Sequence, residues 1–172
     1  MKKVAKFGGS SLASAQQFKK VGSIIEADPA RRFVVPSAPG KRYGSDTKVT
    51  DLLYACYDRA AEGKDFTELF DKIKERYYEI INGLGIALSL EEEFTNIRDQ
   101  FEAQAGRDYA ASRGEYLNGI VMAAFLGFDF IDAAEVICFD ENGEFDAEKT
   151  DRMLKARLEG VEHAVIPGFY GS

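Results

Sequence analysis

Short apolar segments recur along the chain and predict the strands of a buried sheet. They are rich in β-branched and aromatic residues and cover residues 4–7, 33–35, 128–131, 136–139 and 164–166. Segments of this length and composition are typical of strands buried on both faces. Residues 11–27, between the first two segments, have the length of a helix. This region therefore predicts a right-handed βαβ unit with parallel strands, and an α/β fold with a mostly parallel sheet.

The helical segment at about 48–127 has a different pattern, because its apolar positions step by three and four. This spacing predicts helices over residues 66–80 and 90–105, with Gly83 and Gly85 separating them. Two more helices are predicted, over residues 49–60 before them and 116–126 after them. The last of these four is apolar nearly all round, which predicts a central position. Further along, residues 140–143 (Asp-Glu-Asn-Gly) predict a hairpin-type turn, and Asp146 is the predicted N-cap of a final helix that ends at Leu158.

Composition and charge exclude several classes of protein. The chain has 172 residues and a formal net charge of −7, so we expect one domain that does not bind nucleic acid. The longest apolar run, residues 120–126, is far shorter than the ~18 residues of a membrane helix. Glycines and serines follow Lys2 and Lys3 where a secretory signal would be apolar, so we expect a cytoplasmic protein. Cys56 and Cys138 are interpreted as small buried apolar residues, and no metal site is expected.

Glycine-containing loops follow three of the predicted strands. They are residues 8–11 (Gly-Gly-Ser-Ser), 36–40 (Pro-Ser-Ala-Pro-Gly) and 167–172 (Pro-Gly-Phe-Tyr-Gly-Ser). In an open parallel sheet such loops leave the same carboxyl edge, where ligands bind. The sequence therefore predicts one site formed by three separate segments.

The first loop has the features of an anion site. Gly8 and Gly9 are expected to allow positive φ and a close approach to a ligand, and Ser10 or Ser11 to open a helix whose N-terminal amides bind the anion. Lys6 is costly in a buried strand unless an anion pairs with it, which favours a functional role; the alternative is a lysine that reaches solvent from an edge strand. The lysine precedes the glycines, so this is not a P-loop, and the GxGxxG spacing of dinucleotide sites is absent.

Four motifs in this order resemble those of the aspartokinases, within the amino-acid kinase family. The first is Lys-Phe-Gly-Gly-Ser-Ser at 6–11, where the family usually has threonine in place of Ser10. The others are Val-Pro-Ser-Ala at 35–38 with Val-Thr-Asp-Leu-Leu at 49–53, Ser-Arg-Gly-Glu at 112–115, and Pro-Gly-Phe-Tyr-Gly at 167–171. The resemblance implies a three-layer α/β sandwich around a mostly parallel sheet.

The resemblance also implies a reaction and the residues that support it. ATP, with Mg²⁺, would transfer its γ-phosphoryl group to the side-chain carboxylate of L-aspartate, giving 4-phospho-L-aspartate, the first step toward lysine, threonine and methionine. Lys6 would contact the transferring group beside Gly8, Gly9 and Ser10. Aspartate would be held by Ser37, Thr50 and Glu115, with the backbone of Phe169 lining the pocket. A carboxylate with a pKa of ~4 is already ionised at pH 7, so the nucleophile needs no catalytic base.

The resemblance covers the front part of the family's catalytic domain. In relatives the chain continues into an Arg-Gly-Gly-Ser-Asp segment, a nucleotide-binding half and ACT regulatory domains, none of which occurs in residues 1–172. We therefore expect a truncated amino-acid-binding portion that is inactive by itself and self-associates through exposed apolar surface. The alternatives are another amino-acid kinase of this fold and a non-catalytic module that binds anions or amino acids. The loop over residues 40–48, with Lys41, Arg42 and Lys48, is either a basic lid or a mobile solvated loop.

Overall fold

A parallel four-stranded sheet forms the centre of the molecule, which is described here from a computed structural model over residues 2–172. The strands are β1 (Lys3–Phe7), β2 (Arg31–Pro36), β3 (Asp129–Phe130) and β4 (Ala164–Val165), in the order β1-β2-β4-β3. Each neighbouring pair is parallel. The prediction of a parallel α/β sheet is confirmed, as are four of the five predicted strands.

The prediction that the strands are buried on both faces is wrong for the edge strand β3, whose two residues are exposed or half-buried, and for β1. This strand pairs with β2 and lies at the edge of the described sheet, and Val4 is 68% exposed. In contrast, Val34 of β2 and Val165 of β4 lie in the middle of the sheet and are fully buried. An apolar run in the sequence indicates a strand, but its position in the sheet decides how much of it is covered.

The predicted strand at residues 136–139 does not join the sheet. Its first residue ends a short helix, α6 (Ala133–Val136), because the side chain of Asp132 accepts a hydrogen bond from the amide of Ala134 and caps the helix. Phe139 instead forms an isolated antiparallel bridge with Phe145. The predicted turn between these two residues is confirmed, with Gly143 at a φ of 78°.

The helices are α1 (Ala15–Glu26), α2 (Val49–Ala61), α3 (Thr67–Leu84), α4 (Glu91–Glu102), α5 (Arg107–Leu126) and α7 (Ala147–Arg157), together with α6. They confirm the predicted helical segment and the final helix, whose N-cap is Asp146. Gly85, at a φ of 70°, ends α3 as predicted. Gly83 lies within α3 instead of ending it. There a Cβ atom would stand 2.6 Å from the Cβ of Ala15, so this glycine permits α1 and α3 to pack closely.

The sheet separates two apolar clusters, which confirms the three-layer arrangement. Val34 and Val165 face the larger cluster, which is built with α1 to α5 and contains Leu53, Tyr77 and Leu117. The adjacent residues Phe33 and Ala164 face the smaller cluster, which includes Leu154 and Leu158 at the end of α7. Successive residues of a strand point to opposite faces, so helices cover both sides of the sheet.

Within residues 2–172, no helix combines the length and the apolar character that crossing a bilayer requires. Cys56 and Cys138 are both buried and unlinked, as expected for small apolar residues. Burial raises the pKa of the Cys56 thiol to about 12, which keeps it protonated at neutral pH.

Candidate functional site

The three glycine-containing loops meet at the carboxyl edge of the sheet, as predicted. The amide of Ser37 donates to the carbonyl of Phe7 at 3.0 Å, and the amide of Gly40 donates to the carbonyl of Gly9 at 2.8 Å. The amide of Gly168 donates to the carbonyl of Pro36 at 3.3 Å and brings in the third loop. These backbone hydrogen bonds join segments that are far apart in the sequence.

The first loop differs from its predicted conformation. Residues Gly9–Leu12 form a single 3₁₀ turn, and α1 starts only at Ala15 after the N-cap Ser14. The prediction that Ser10 or Ser11 opens the long helix is therefore wrong, because a four-residue turn lacks the aligned amides of such a helix. The binding of an anion by this loop remains a prediction. Neither Gly8 nor Gly9 has a positive φ. Gly9 is required for close approach, since a Cβ there would stand 2.8 Å from the carbonyl oxygen of Ala38.

Lys6, Gly8 and Ser10 are all exposed. The burial cost that favoured a functional Lys6 does not arise, because β1 is an edge strand and the lysine reaches solvent. The lysine nevertheless lies on the strand that leads directly into the three-loop junction. Its predicted role in phosphoryl transfer remains a prediction.

Glu115 is a buried carboxylate beside the second loop. Glu115 lies on α5 and is only 8% exposed. Oε1 accepts a hydrogen bond of 3.1 Å from the amide of Ala38, whereas Oε2 has no hydrogen-bond partner within residues 2–172. Burial raises the pKa of Glu115, and the hydrogen bond from Ala38 opposes this rise in part. Without the family resemblance, the sequence pattern by itself indicates a surface carboxylate at this position of the helix.

Asn118, one turn further along α5, contacts the same peptide group as Glu115. Its Nδ2 donates to the carbonyl of Ser37 at 2.7 Å, while Glu115 accepts from the amide of Ala38. Gly114 permits this contact, because a Cβ there would stand 2.7 Å from the Cβ of Ala38. Asn118 was not among the predicted site residues. It is the polar residue in the predicted helix over 116–126, which is otherwise apolar, and this was a usable signal.

The other predicted aspartate ligands surround this junction. Ser37 is half-buried in the second loop, and Thr50 is half-buried in the first turn of α2. Phe169 follows β4 with its side chain 71% exposed and a φ of 79°, which is unusual for a residue other than glycine. The loop therefore constrains the backbone of Phe169, whereas its ring is exposed to solvent.

Arg113 belongs to the same motif as Glu115, but it lines a cleft that Glu115 does not line. Its guanidinium is 4.6 Å from the ring centre of Tyr109, 4.5 Å from that of Tyr116 and 5.2 Å from that of Tyr170. The cleft has a volume of about 650 Å³, and Asp132 lines it. Tyr170 donates to Asp132 at 2.7 Å; burial and this hydrogen bond together hold the pKa of Tyr170 well above its usual value.

Ion pairs hold the loop over residues 40–48. Arg42 donates to Asp46 through Nε at 2.9 Å and through Nη2 at 3.0 Å, and to Glu79 of α3 at 2.5 Å. Asp46 also accepts from Arg76 of α3 at 2.6 Å. Because both acids pair with Arg42, its charge is engaged within the fold and is not presented as part of a basic lid.

No protein-family model matches the chain. It is 37% identical to Aspartokinase 3 of Bacillus subtilis over 98% of its own length and 40% of that protein. The crystal structure of Clostridium acetobutylicum aspartate kinase superposes with a TM-score of 0.95 at 49% identity, over 98% of this chain and 39% of that one. E. coli aspartokinase III, in complex with aspartate and ADP, shares the fold with a TM-score of 0.80 at 23% identity, over 100% of this chain and 41% of that one.

Helices on both faces of a parallel sheet, with three loops joined at its carboxyl edge, make this chain an α/β sandwich that matches the fold of the aspartate kinase structure. Over the part that it shares with them, the chain is homologous to the aspartokinases, which confirms the resemblance seen in its motifs. The chain spans about 40% of the length of the Bacillus subtilis relative.

Proposed function

We propose that residues 1–172 form the N-terminal, amino-acid-binding portion of an aspartokinase catalytic domain, and that the whole enzyme transfers the γ-phosphoryl group of ATP to the side-chain carboxylate of L-aspartate. The observation that carries this proposal is Glu115, a buried carboxylate next to the junction of the three loops, with one oxygen that has no partner among residues 2–172. A buried charge without a partner is unfavourable, so this position suits a cationic group of a ligand.

The chemistry of aspartate matches the groups around Glu115. Aspartate has one ammonium and two carboxylates, so its site needs a carboxylate acceptor and several donors. Glu115 supplies the acceptor for the ammonium. The hydroxyls of Ser37 and Thr50 and the backbone at Phe169 supply donors for the carboxylates.

Lys6 and the first loop would hold the phosphoryl group. Lys6, Gly8 and Ser10 are exposed, and their loop is joined to the second loop through Gly9 and Gly40. An ammonium here would reduce the repulsion between the phosphates and the attacking carboxylate, which is the main obstacle in this reaction. In support of ATP as the donor, E. coli aspartokinase III shares this fold and was crystallised with aspartate and ADP.

Mg²⁺ would accompany ATP in the whole enzyme. Within residues 2–172, no group of three or more His, Cys, Asp and Glu side chains is arranged to hold a metal ion. These residues alone do not fit a resident metal, and no step is assigned to one. The nucleotide-binding half would lie in the part of the relatives that this chain does not match, so we expect the 172-residue chain to lack kinase activity.

We also propose that the chain self-associates through an apolar groove on the face of the sheet that carries α7. The groove has a volume of about 470 Å³, and its lining includes Val4, Phe33, Ile137, Leu154, Ile166 and Phe169. Val4 also belongs to the edge strand β1. Exposed apolar surface next to an unpaired strand edge favours association between copies.

Calorimetric titration of the chain with L-aspartate tests the proposed site, with succinate as the analogue that lacks the ammonium. We expect aspartate to bind at least about tenfold more tightly than succinate, and Glu115→Gln to abolish this preference. Asp58→Asn, an exposed carboxylate on α2, is the matched control. Absence of aspartate binding by the unsubstituted chain, or an unchanged preference in Glu115→Gln, would overturn the proposal.

A further inference from the structure

Arg76 is a buried arginine in the middle of α3, and the sequence analysis did not single it out. It lies on the same face as the apolar residues Ile73 and Ile80, and its side chain is 4% exposed. A guanidinium is retained in such a position only when its charge is paired and its donors are satisfied. The partners of Arg76 therefore show what this residue is placed to do.

The guanidinium of Arg76 contacts two segments that are separate in the sequence. Nη1 donates at 3.2 Å to the carbonyl of Ala13, the residue directly after the 3₁₀ turn Gly9–Leu12. Nη2 donates to the carbonyl of Gly40 at 3.1 Å, to Asp46 at 2.6 Å and, at a longer 3.4 Å, to the carbonyl of Thr47. One side chain thus contacts the segment that follows the first loop and both ends of the 40–48 loop.

Two of these contacts connect Arg76 to segments of the proposed site. Gly40, which Arg76 holds through its carbonyl, donates its amide to the carbonyl of Gly9. Thr47 precedes the first turn of α2, which contains Thr50. The phosphate-binding loop and the loop that leads to an aspartate ligand therefore share a single anchor on α3.

We propose that Arg76 is a positioning residue for the amino-acid and phosphoryl sites, with Asp46 as its charge partner. The inference rests on the proposed function, because it concerns how Thr50 is placed relative to Gly8, Gly9 and Ser10. Arg42 completes the arrangement by donating to Asp46 through its amide, its Nε and its Nη2, which holds this carboxylate against Arg76.

Lysine does not replace arginine in this role. A guanidinium presents five donors in a planar fork and can contact the carbonyl of Ala13 and that of Gly40 from different nitrogens. A lysine ammonium has three donors on one nitrogen, so Arg76→Lys keeps the charge pair with Asp46 but loses one of the two loops. Comparing Arg76→Lys with Arg76→Met therefore distinguishes the effect of the charge pair with Asp46 from the effect of the guanidinium's contacts with two carbonyls.

The experiment uses the 172-residue chain and measures two quantities in each variant. The first is the hydrogen-exchange rate of the Gly40 amide by NMR, which reports on its hydrogen bond to Gly9 and needs no ligand. The second is the dissociation constant for L-aspartate. Arg98→Met is the matched control, because Arg98 contacts Thr67 and the ring of Phe66, away from the loops.

We expect Gly40 exchange to become at least about tenfold faster in Arg76→Met, with the amides in the middle of α5 unchanged. We expect aspartate binding to weaken between about tenfold and a hundredfold in Arg76→Met and by less in Arg76→Lys. Arg98→Met should lower the melting temperature without changing either quantity.

Unchanged Gly40 exchange in Arg76→Met would overturn the structural part of the inference. Faster exchange with unchanged aspartate affinity would overturn its functional part. If the unsubstituted chain binds no aspartate, the proposed function fails together with that functional part, while Gly40 exchange still decides whether Arg76 holds the two loops.

Discussion

Gly9 and Gly40 contact each other through their backbones, with the amide of Gly40 donating to the carbonyl of Gly9 at 2.8 Å. A Cβ on Gly40 would stand 2.6 Å from the carbonyl carbon of Gly9, and a Cβ on Gly9 would stand 3.1 Å from the amide nitrogen of Gly40. Backbone atoms cannot move aside as a flexible side chain does. The contact between the first two loops therefore depends on glycine at both positions.

We expect Gly40→Ala to destabilise the chain by roughly 1–3 kcal/mol, because the added methyl group forces the two loops apart. For a domain of this size, each kcal/mol lowers the melting temperature by about 2–4 °C. Thermal unfolding measures the effect. Gly8→Ala is the control, since nothing lies within 4 Å of a Cβ there, and a comparable loss in both variants would contradict the explanation.

Glu115 should make the stability of the unliganded chain depend on pH. Its pKa is raised above its usual 4.5, chiefly by burial, so its contribution to the free energy of unfolding is fully present below that value and is lost as the pH rises through the higher pKa of the folded state. Glu115→Gln should remove this dependence. Denaturant unfolding between about pH 4 and pH 8 is expected to show Glu115→Gln gaining stability relative to the unsubstituted chain as the pH rises. If the free energies of unfolding of the two proteins change with pH in the same way, the prediction is contradicted.

Asp46 should have the opposite pH dependence. The hydrogen bond from Arg42 is the largest cause that holds the pKa of Asp46 far below its usual 3.8, so the stabilisation is present above 3.8 and is lost in more acidic solution. Asp46→Asn leaves Arg76 buried without its charge partner and should cost about 3 kcal/mol at pH 7. The difference in the free energy of unfolding between Asp46→Asn and the unsubstituted chain should decrease as the pH falls below 3.8.

A control for Asp46 is available in an exposed ion pair. Asp58 accepts from Arg107 at 3.3 Å, with both side chains more than half exposed. Asp58→Asn should change the free energy of unfolding by less than about 1 kcal/mol, as is usual for such pairs. Equal losses in Asp46→Asn and Asp58→Asn would show that burial of the pair with Arg76 is not the cause.

Self-association is tested by sedimentation velocity over a range of concentrations. We expect the unsubstituted chain to form dimers or larger species, and Val4→Lys to shift the population toward monomer at least about tenfold in dissociation constant, because lysine on an edge strand opposes pairing. Ile24→Lys, at an exposed apolar position on α1, should have no such effect. A monodisperse monomer for the unsubstituted chain would contradict the proposal.

Local patterns predicted most of the fold but misplaced some elements. The three-and-four spacing identified α3 and α4, and Asp146 was correctly identified as the N-cap of α7. The predicted helix over 116–126 is the second half of α5, which begins at Arg107. The apolar run at 136–139 was misread, because the cap at Asp132 makes its first residue helical. A short apolar run does not distinguish a strand from the end of a helix.

The candidate site was predicted in part. Convergence of the three loops follows from parallel strands, so the sequence sufficed for it. The burial of Glu115 and the contact of Asn118 with Ser37 depend on how closely α5 approaches the second loop, which is set by packing at Gly114. Arg76 was missed because the spacing of its neighbours indicates a buried position but does not identify its carbonyl partners.

The sequence by itself determined the order and type of the main elements, the parallel sheet and the edge at which the loops meet, because these depend on periodicity and on the direction of the strands. Only the tertiary structure decided that β1 is an exposed edge, that Glu115 is buried with a free oxygen, and that Arg76 anchors two loops. The last two features depend on atoms that are 36 to 77 residues apart, as in the pairs Arg76–Gly40 and Ala38–Glu115, and only the packing of the folded chain brings such atoms together.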